Sequence, residues 1–138
     1  MCYGDPYQTK IFVIGYNPAT TMITTWKKYW IDGEYNYLEW EKDYIEQRVK
    51  EGKSQKSSTR LRIDRLQRAL DFKMLETNIY DSPSKNIKSL KNRNRKSSIV
   101  NIIEILKPET IIIHGKKTQK EFIDILKKCD INIYDNNR

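Results

Sequence analysis

The stretch KIFVIGYNPATT, residues 10–21, decides how this chain is read. Ile11, Phe12, Val13 and Ile14 form a short apolar run with β-branched members, closed by Gly15, which is the pattern of a strand buried in a parallel sheet. Asn17-Pro18 then favours a turn, and the fixed φ of proline suits the first residue of a helix. The turn presenting Tyr16, Asn17 and Pro18 is therefore either a ligand site or only the exit from the sheet.

Working outward, the segment 22–37 is rich in aromatics (Trp26, Tyr29, Trp30, Tyr35, Tyr37) without a clear period. Two readings stand: a lid or aromatic wall over a site, or a peripheral patch packed on the core. Residues 38–50 are expected to be helical, with Leu38, Ile45 and Val49 sharing a broad face. EGKSQKSS, residues 51–58, breaks that helix. A second is expected over 59–70, where Ile63, Leu66 and Leu70 make an apolar stripe and Arg60, Arg62, Arg65 and Arg68 lie mostly elsewhere, as on an ordinary solvated helix or a cationic surface beside a site. A strand at 72–75 follows, then Pro83 and a basic block. Residues 98–106 read as a largely apolar helix, closed by Pro108, and 110–113 as another strand reaching His114 and Gly115. Thr118-Gln119-Lys120-Glu121 has capping-box spacing for a helix running to about 128 with Phe122, Ile125 and Leu126 inward. A last strand is expected around 131–134. Alternation of strands and helices gives the expected fold class: α/β, a single three-layer α/β/α domain over 1–138 around a mainly parallel four-stranded sheet with right-handed crossovers.

With 138 residues, 38% of them hydrophobic, the chain is long enough for one core and too short for two. No apolar run approaches the roughly 20 residues that cross a bilayer, and no signal-peptide h-region stands at the N-terminus, so the expectation is an intracellular protein, cytoplasmic or DNA-associated. Cys2 and Cys129 lie far apart and His114 is the sole histidine, which supports neither a metal site nor a disulfide framework. The net charge of +8 is unevenly placed: residues 82–103 contain no acid but hold Lys85, Lys88, Lys91, Arg93, Arg95 and Lys96. Such a block favours a polyanion, and these six residues are the candidate contacts to a DNA backbone; a solubilising loop is the plainer alternative.

Ligands of open α/β sheets bind beyond the carboxyl ends of strands. That rule gathers Tyr16 and Asn17 from the first strand, Thr77, Asn78 and Tyr80 from the second, and His114 and Gly115 from the third. Asparagine carries both donors and an acceptor, so one can read a base edge while another orients water or phosphate, yet neither is a strong proton acceptor. Each is equally a common turn or cap former. GYNPATT lacks the G-x-G-x-x-G fingerprint and HGKKT lacks the upstream glycine of a P-loop, so Lys116 and Lys117 are possible phosphate contacts without a nucleotide motif around them.

Three ordered segments, VIGYNPAT (13–20), LETNIYDSPS (75–84) and LKPETIIIHGKKTQKEF (106–122), together resemble the uracil-DNA glycosylase superfamily. The resemblance implies that Asn17 matches the residue placing the attacking water and Asn78 the asparagine reading a flipped base. It makes Gly15, Tyr16, Pro18, Ala19, Asn78 and Tyr80 the substrate-binding set and Asn17 the catalytic residue. Uracil-selective branches often place a bulky aromatic two residues after the water-positioning one; Ala19 stands there, which resembles a more permissive pocket. Gly4-Asp5-Pro6-Tyr7 is similar to the family's aspartate-bearing turn but has no strand before it, so Asp5 is set aside. The family also has a histidine-proline-serine segment after its fourth strand. NIYDNNR (132–138) stands where that segment would begin, and His114 falls one strand too early for its role, so the chain resembles a divergent or C-terminally truncated member.

Three functional classes follow. The first is a glycosylase acting on uracil or another deaminated or mismatched base in DNA, single-stranded or locally distorted, with no metal or organic cofactor. The second is a catalytically silent DNA-binding or regulatory protein on the same scaffold, and the third an unrelated nucleotide-binding enzyme.

Overall fold

The computed structural model describes residues 1–2, 5–18, 20–70, 72–80 and 96–129. Its frame is a parallel three-stranded sheet in the order β4-β1-β5, formed by β1 (Ile11–Gly15), β4 (Met74–Asn78) and β5 (Thr110–Ile113). β1 is central, pairing Ile11 with Met74 and Thr110 on its two sides and Phe12 with Leu75 and Ile111. Phe12 and Ile14 are fully buried, as a central strand between two neighbours requires. The outer edge of β4 is covered: Cys2 forms an antiparallel bridge with Leu75, and the Glu76 amide donates to Met1 O at 2.5 Å. Architecturally this is a mixed α/β protein with helices packed around a largely parallel sheet. The strand expected around 131–134 lies outside the described residues, as do Ala19 and the basic block from Lys85 to Arg95; Lys96 opens the helix α3 (Lys96–Leu106).

Between β1 and β4 the chain makes a short helix, a small hairpin and two long helices. The hairpin joins β2 (Trp30–Ile31) and β3 (Glu34–Tyr35) through Asp32 and Gly33, both at positive φ (51° and 83°), the geometry of a two-residue turn that matches strand twist. Tyr29, Tyr35 and Tyr37 are buried in the core and Trp30 packs against it, whereas Trp26 is exposed. Asn36 caps α1 (Tyr37–Lys50), its Oδ1 accepting from the Glu39 amide at 3.1 Å.

The two long helices depart from the sequence expectation at particular residues. On α1, of the expected face, Ile45 is half-buried and packs on the core, but Leu38 and Val49 are exposed, at 74% and 53%, and the buried face is Tyr37, Trp40, Tyr44 and Arg48. Aromatics at helical spacing bury more surface than Leu38 and Val49. On α2 (Ser58–Leu70) the stripe of Ile63, Leu66 and Leu70 is half-buried and Arg62, Arg65 and Arg68 are exposed, as expected; the departure is Arg60, which is buried. Its guanidinium lies 5.8 Å from the Tyr37 ring centroid and 5.7 Å from that of Trp40, and donates through Nη1 and Nη2 to both oxygens of Glu76, each at 2.6 Å. Nε donates to Asp64 at 2.7 Å, and Lys56 ties Asp64 (2.9 Å) to Glu41 (2.5 Å). One arginine thus fastens both long helices to β4. Burial alone would lower its pKa, but the hydrogen bonds and charge of Glu76 outweigh that and hold it above the usual value. The strand expected at 72–75 runs instead from Met74 to Asn78, because Arg60 lets β4 continue inward through a carboxylate that breaks the apolar pattern.

α3 places Ile99 and Val100 in the core, and α4 (Lys116–Lys128) places Phe122, Ile125 and Leu126 there, as the sequence pattern predicts. The expected capping box does not form. The helix starts earlier, at Lys116 after Gly115 in a left-handed conformation (φ 97°), so Thr118 lies inside the first turn and its hydroxyl donates to His114 O at 2.7 Å.

Removing one partner of the buried ion pair leaves a stranded charge, so Arg60→Ala is expected to cost about 3–5 kcal/mol in denaturant unfolding. The joint replacement Arg60→Met with Glu76→Leu should cost much less. Asp64 supplies a pH signature. Burial pushes its carboxyl up, but Lys56 and Arg60 outweigh this, and its pKa lies below the ordinary value of 3.8. A carboxyl lowered by folding contributes stability above that ordinary value and loses it as pH falls through the folded one. The stability gap between wild type and Asp64→Asn should therefore be present at pH 7 and shrink progressively below about pH 4.

Candidate functional site

The ladder of β1 continues past the end of the sheet. Gly15 pairs with Asn78, the last residues of their strands; the Ile79 amide then donates to Gly15 O and the Tyr80 amide to Tyr16 O, both at 3.0 Å. On the other side the His114 amide donates to Ile14 O at 2.9 Å. Three strand exits are thereby held side by side, and the residues that the strand-end rule gathers, Tyr16, Asn17, Thr77, Asn78, Tyr80, His114 and Gly115, lie at one end of the sheet.

Gly15 leaves room for its neighbour's side chain. A methyl group built on it would meet Asn78 Oδ1 at 2.5 Å, so the half-buried Asn78 amide occupies the space that a side chain at residue 15 would fill. Asn17 lies just beyond, half-buried, with Nδ2 donating to Pro18 O at 3.2 Å. That bond orients the amide.

The two tyrosines are differently placed. Tyr80 is buried, and its hydroxyl donates to Glu121 Oε1 at 2.7 Å. Burial first, and then the hydrogen bond and charge of Glu121, push its phenol well above the ordinary value, so it stays protonated and a donor. Tyr80 is therefore a buttress of the site wall. Tyr16 is half-buried, packs on Tyr80 with ring centroids 5.1 Å apart at 53°, and has the Lys117 ammonium 5.5 Å from its centroid. His114 and Gly115 are exposed, as are Lys116 and Lys117. Glu121 was not legible as a site residue: its spacing from Thr118 suggests a helix cap, whereas its partner Tyr80 lies 41 positions away in sequence.

Among the described residues no group of three or more His, Cys, Asp or Glu is placed to hold a metal, and no helix is long and apolar enough to cross a membrane. A surface hollow of about 350 Å³ runs along α4 between Lys116, Lys120, Asp124 and Lys127, away from the asparagines. What fold and site define is an α/β protein that gathers polar and aromatic residues at the carboxyl ends of its strands. Comparison with protein-family models, with curated proteins and with solved structures gave no match to this chain.

The contact at Gly15 makes a separable test. Gly15→Ala should destabilise by about 1–2 kcal/mol through overpacking and displace the Asn78 side-chain amide resonances. Adding Asn78→Ala removes the clashing oxygen and should recover most of that loss; a double variant as unstable as the sum of both single changes would contradict the contact.

Proposed function

We propose that the chain is a DNA-binding protein of uracil-DNA glycosylase type, hydrolysing the N-glycosidic bond of uracil or another deaminated or mismatched base. The observation that carries this reading is the pairing of Gly15 with Asn78, which brings Asn17 and Asn78 to one end of adjacent strands. That is where the sequence resemblance needs a water-positioning and a base-reading residue. In this scheme a base leaves its stack and enters the crevice, and Asn78 hydrogen-bonds its polar edge. The C1′–N bond breaks with its electron pair leaving on the base. The water held by Asn17 forms the new bond to C1′, and its proton passes to the departing base or to solvent. Asn17 orients and does not deprotonate, so the reaction depends on early departure of the leaving group.

The strand order supports the finer architecture that goes with this reading. From β1 the chain crosses to β4 on one side and then to β5 on the other. Right-handed crossovers in opposite directions put their helices on opposite faces, giving three layers. The block from Lys85 to Lys96 supplies phosphate contacts in this scheme, consistent with the net charge of +8.

A catalytically silent DNA-binding protein on this scaffold is the second reading, favoured by the Asn17 amide already being engaged with Pro18 O.

The test is incubation with single- and double-stranded oligonucleotides carrying uracil, hypoxanthine, xanthine or mismatched thymine, assayed for free base and abasic sites. Release from one substrate and not from its undamaged control is expected. Asn17→Ala should lower it about 100-fold, as for loss of a preorganised transition-state contact. Asn78→Ala should also erode discrimination between bases by about 10-fold. Binding that weakens with salt but yields no free base across the panel would replace the enzyme reading by the silent one.

A further inference from the structure

We infer that Lys117 is a displaceable cap on the Tyr16 ring, which exchanges this position for a ligand's phosphate when a base stacks there, so that the crevice takes nucleotides in preference to bare bases. The inference rests on the reading above that the crevice receives a nucleobase.

Topology marks the place. In an open sheet whose connections leave one strand in opposite directions, the binding crevice lies where the direction reverses. Here β1 is followed in sequence by β4 on one side and later by β5 on the other, so the reversal falls between β1 and β5. Tyr16 is the first residue after β1, and Lys117 lies in the first turn of α4 immediately after β5. The residues that wall the reversal are thus the two in contact, with Nζ 5.5 Å from the ring centroid.

The Tyr16 ring is held by a second aromatic. Tyr80 packs against it at 5.1 Å, and Tyr80 is itself buried and bonded to Glu121. The contact with Lys117 is of another kind, because an exposed lysine on a flexible stem covers the ring through a weak cation–π attraction. Stacking of a base on a tyrosine is stronger than that attraction, so a base can take the lysine's place. The displaced ammonium is a compact charge with three donors, and a phosphate attached to the same sugar is the partner that a neighbouring stacked base brings with it.

This exchange gives Lys117→Ala opposite effects on two related ligands, which a passive surface lysine would not do. The probes are deoxyuridine and deoxyuridine 5′-monophosphate, with binding followed by calorimetry or amide chemical shifts at low salt. Removing the cap should tighten deoxyuridine binding about 3-fold, the worth of an exposed cation–π contact. It should weaken the monophosphate about 10-fold, as for a lost charge-assisted hydrogen bond. Lys117→Arg should retain monophosphate binding. Tyr16→Ala should weaken both ligands, with Tyr16→Phe as the variant that keeps the ring and should bind both like wild type. Equal effects of Lys117→Ala on both ligands, no effect on either, or absence of binding by wild type at millimolar ligand would each overturn the inference. The two readings fail separately: the opposed pattern without base release from oligonucleotides removes catalysis and leaves the exchange, and base release without that pattern does the reverse.

Discussion

The backbone pairing of β1 on both its sides, carried past the strand ends, is the constraint on which the site depends. Because the ladder with β4 continues through Ile79 and Tyr80 to the oxygens of Gly15 and Tyr16, the turn after β1 cannot drift relative to the exit from β4. The register at Gly15 and Asn78 leaves the Asn78 amide in space that a side chain on residue 15 would claim. A glycine at that position thus does chemical work through what it omits. On the other side the bond from His114 to Ile14 fixes the start of α4, the turn from which Lys117 reaches Tyr16.

The same strand is held from outside by a charged contact. Glu76 and Asn78 are two residues apart on β4 and so face the same side of the sheet. Arg60 grips Glu76 with both terminal nitrogens while lying over Tyr37 and Trp40, so α1, α2 and the strand that carries Asn78 share one anchor. A buried pair of this kind adds little net stability over an apolar replacement, but it fixes one arrangement because either partner alone is costly. Such rigidity suits a crevice whose polar groups must already be in position when a ligand arrives.

What the sequence revealed and what it hid follow from the range of each interaction. The apolar runs at 11–14 and 110–113 and the inward stripe of Phe122, Ile125 and Leu126 reflect burial that each residue feels locally, and they were legible. The strand exits were legible too, since glycine and asparagine mark them. Arg60 was not, because a buried arginine looks like a solvated one until its partner Glu76, 16 positions on, is seen beside it. The same blindness extended to the inner half of β4 and to the aromatic face of α1, which depend on that arginine. The hairpin at Asp32-Gly33 carried a readable turn signal that the crowding of aromatics around it obscured. Glu121 pointed to a helix cap by spacing alone, and only the long-range contact with Tyr80 places it at the site.

The central claim, that the joined exits of β1, β4 and β5 form one nucleobase-binding site, is tested most directly by a nitrogen-15 NMR titration of the wild-type protein with a short uracil-containing single strand. Shifts in the backbone amides of Tyr16, Asn17, Ile79 and Lys117 and in the side-chain amides of Asn17 and Asn78 are expected to saturate together, with one affinity. Saturating shifts confined to the outer face of α4 or to α1 and α2, with those groups unmoved, would contradict it.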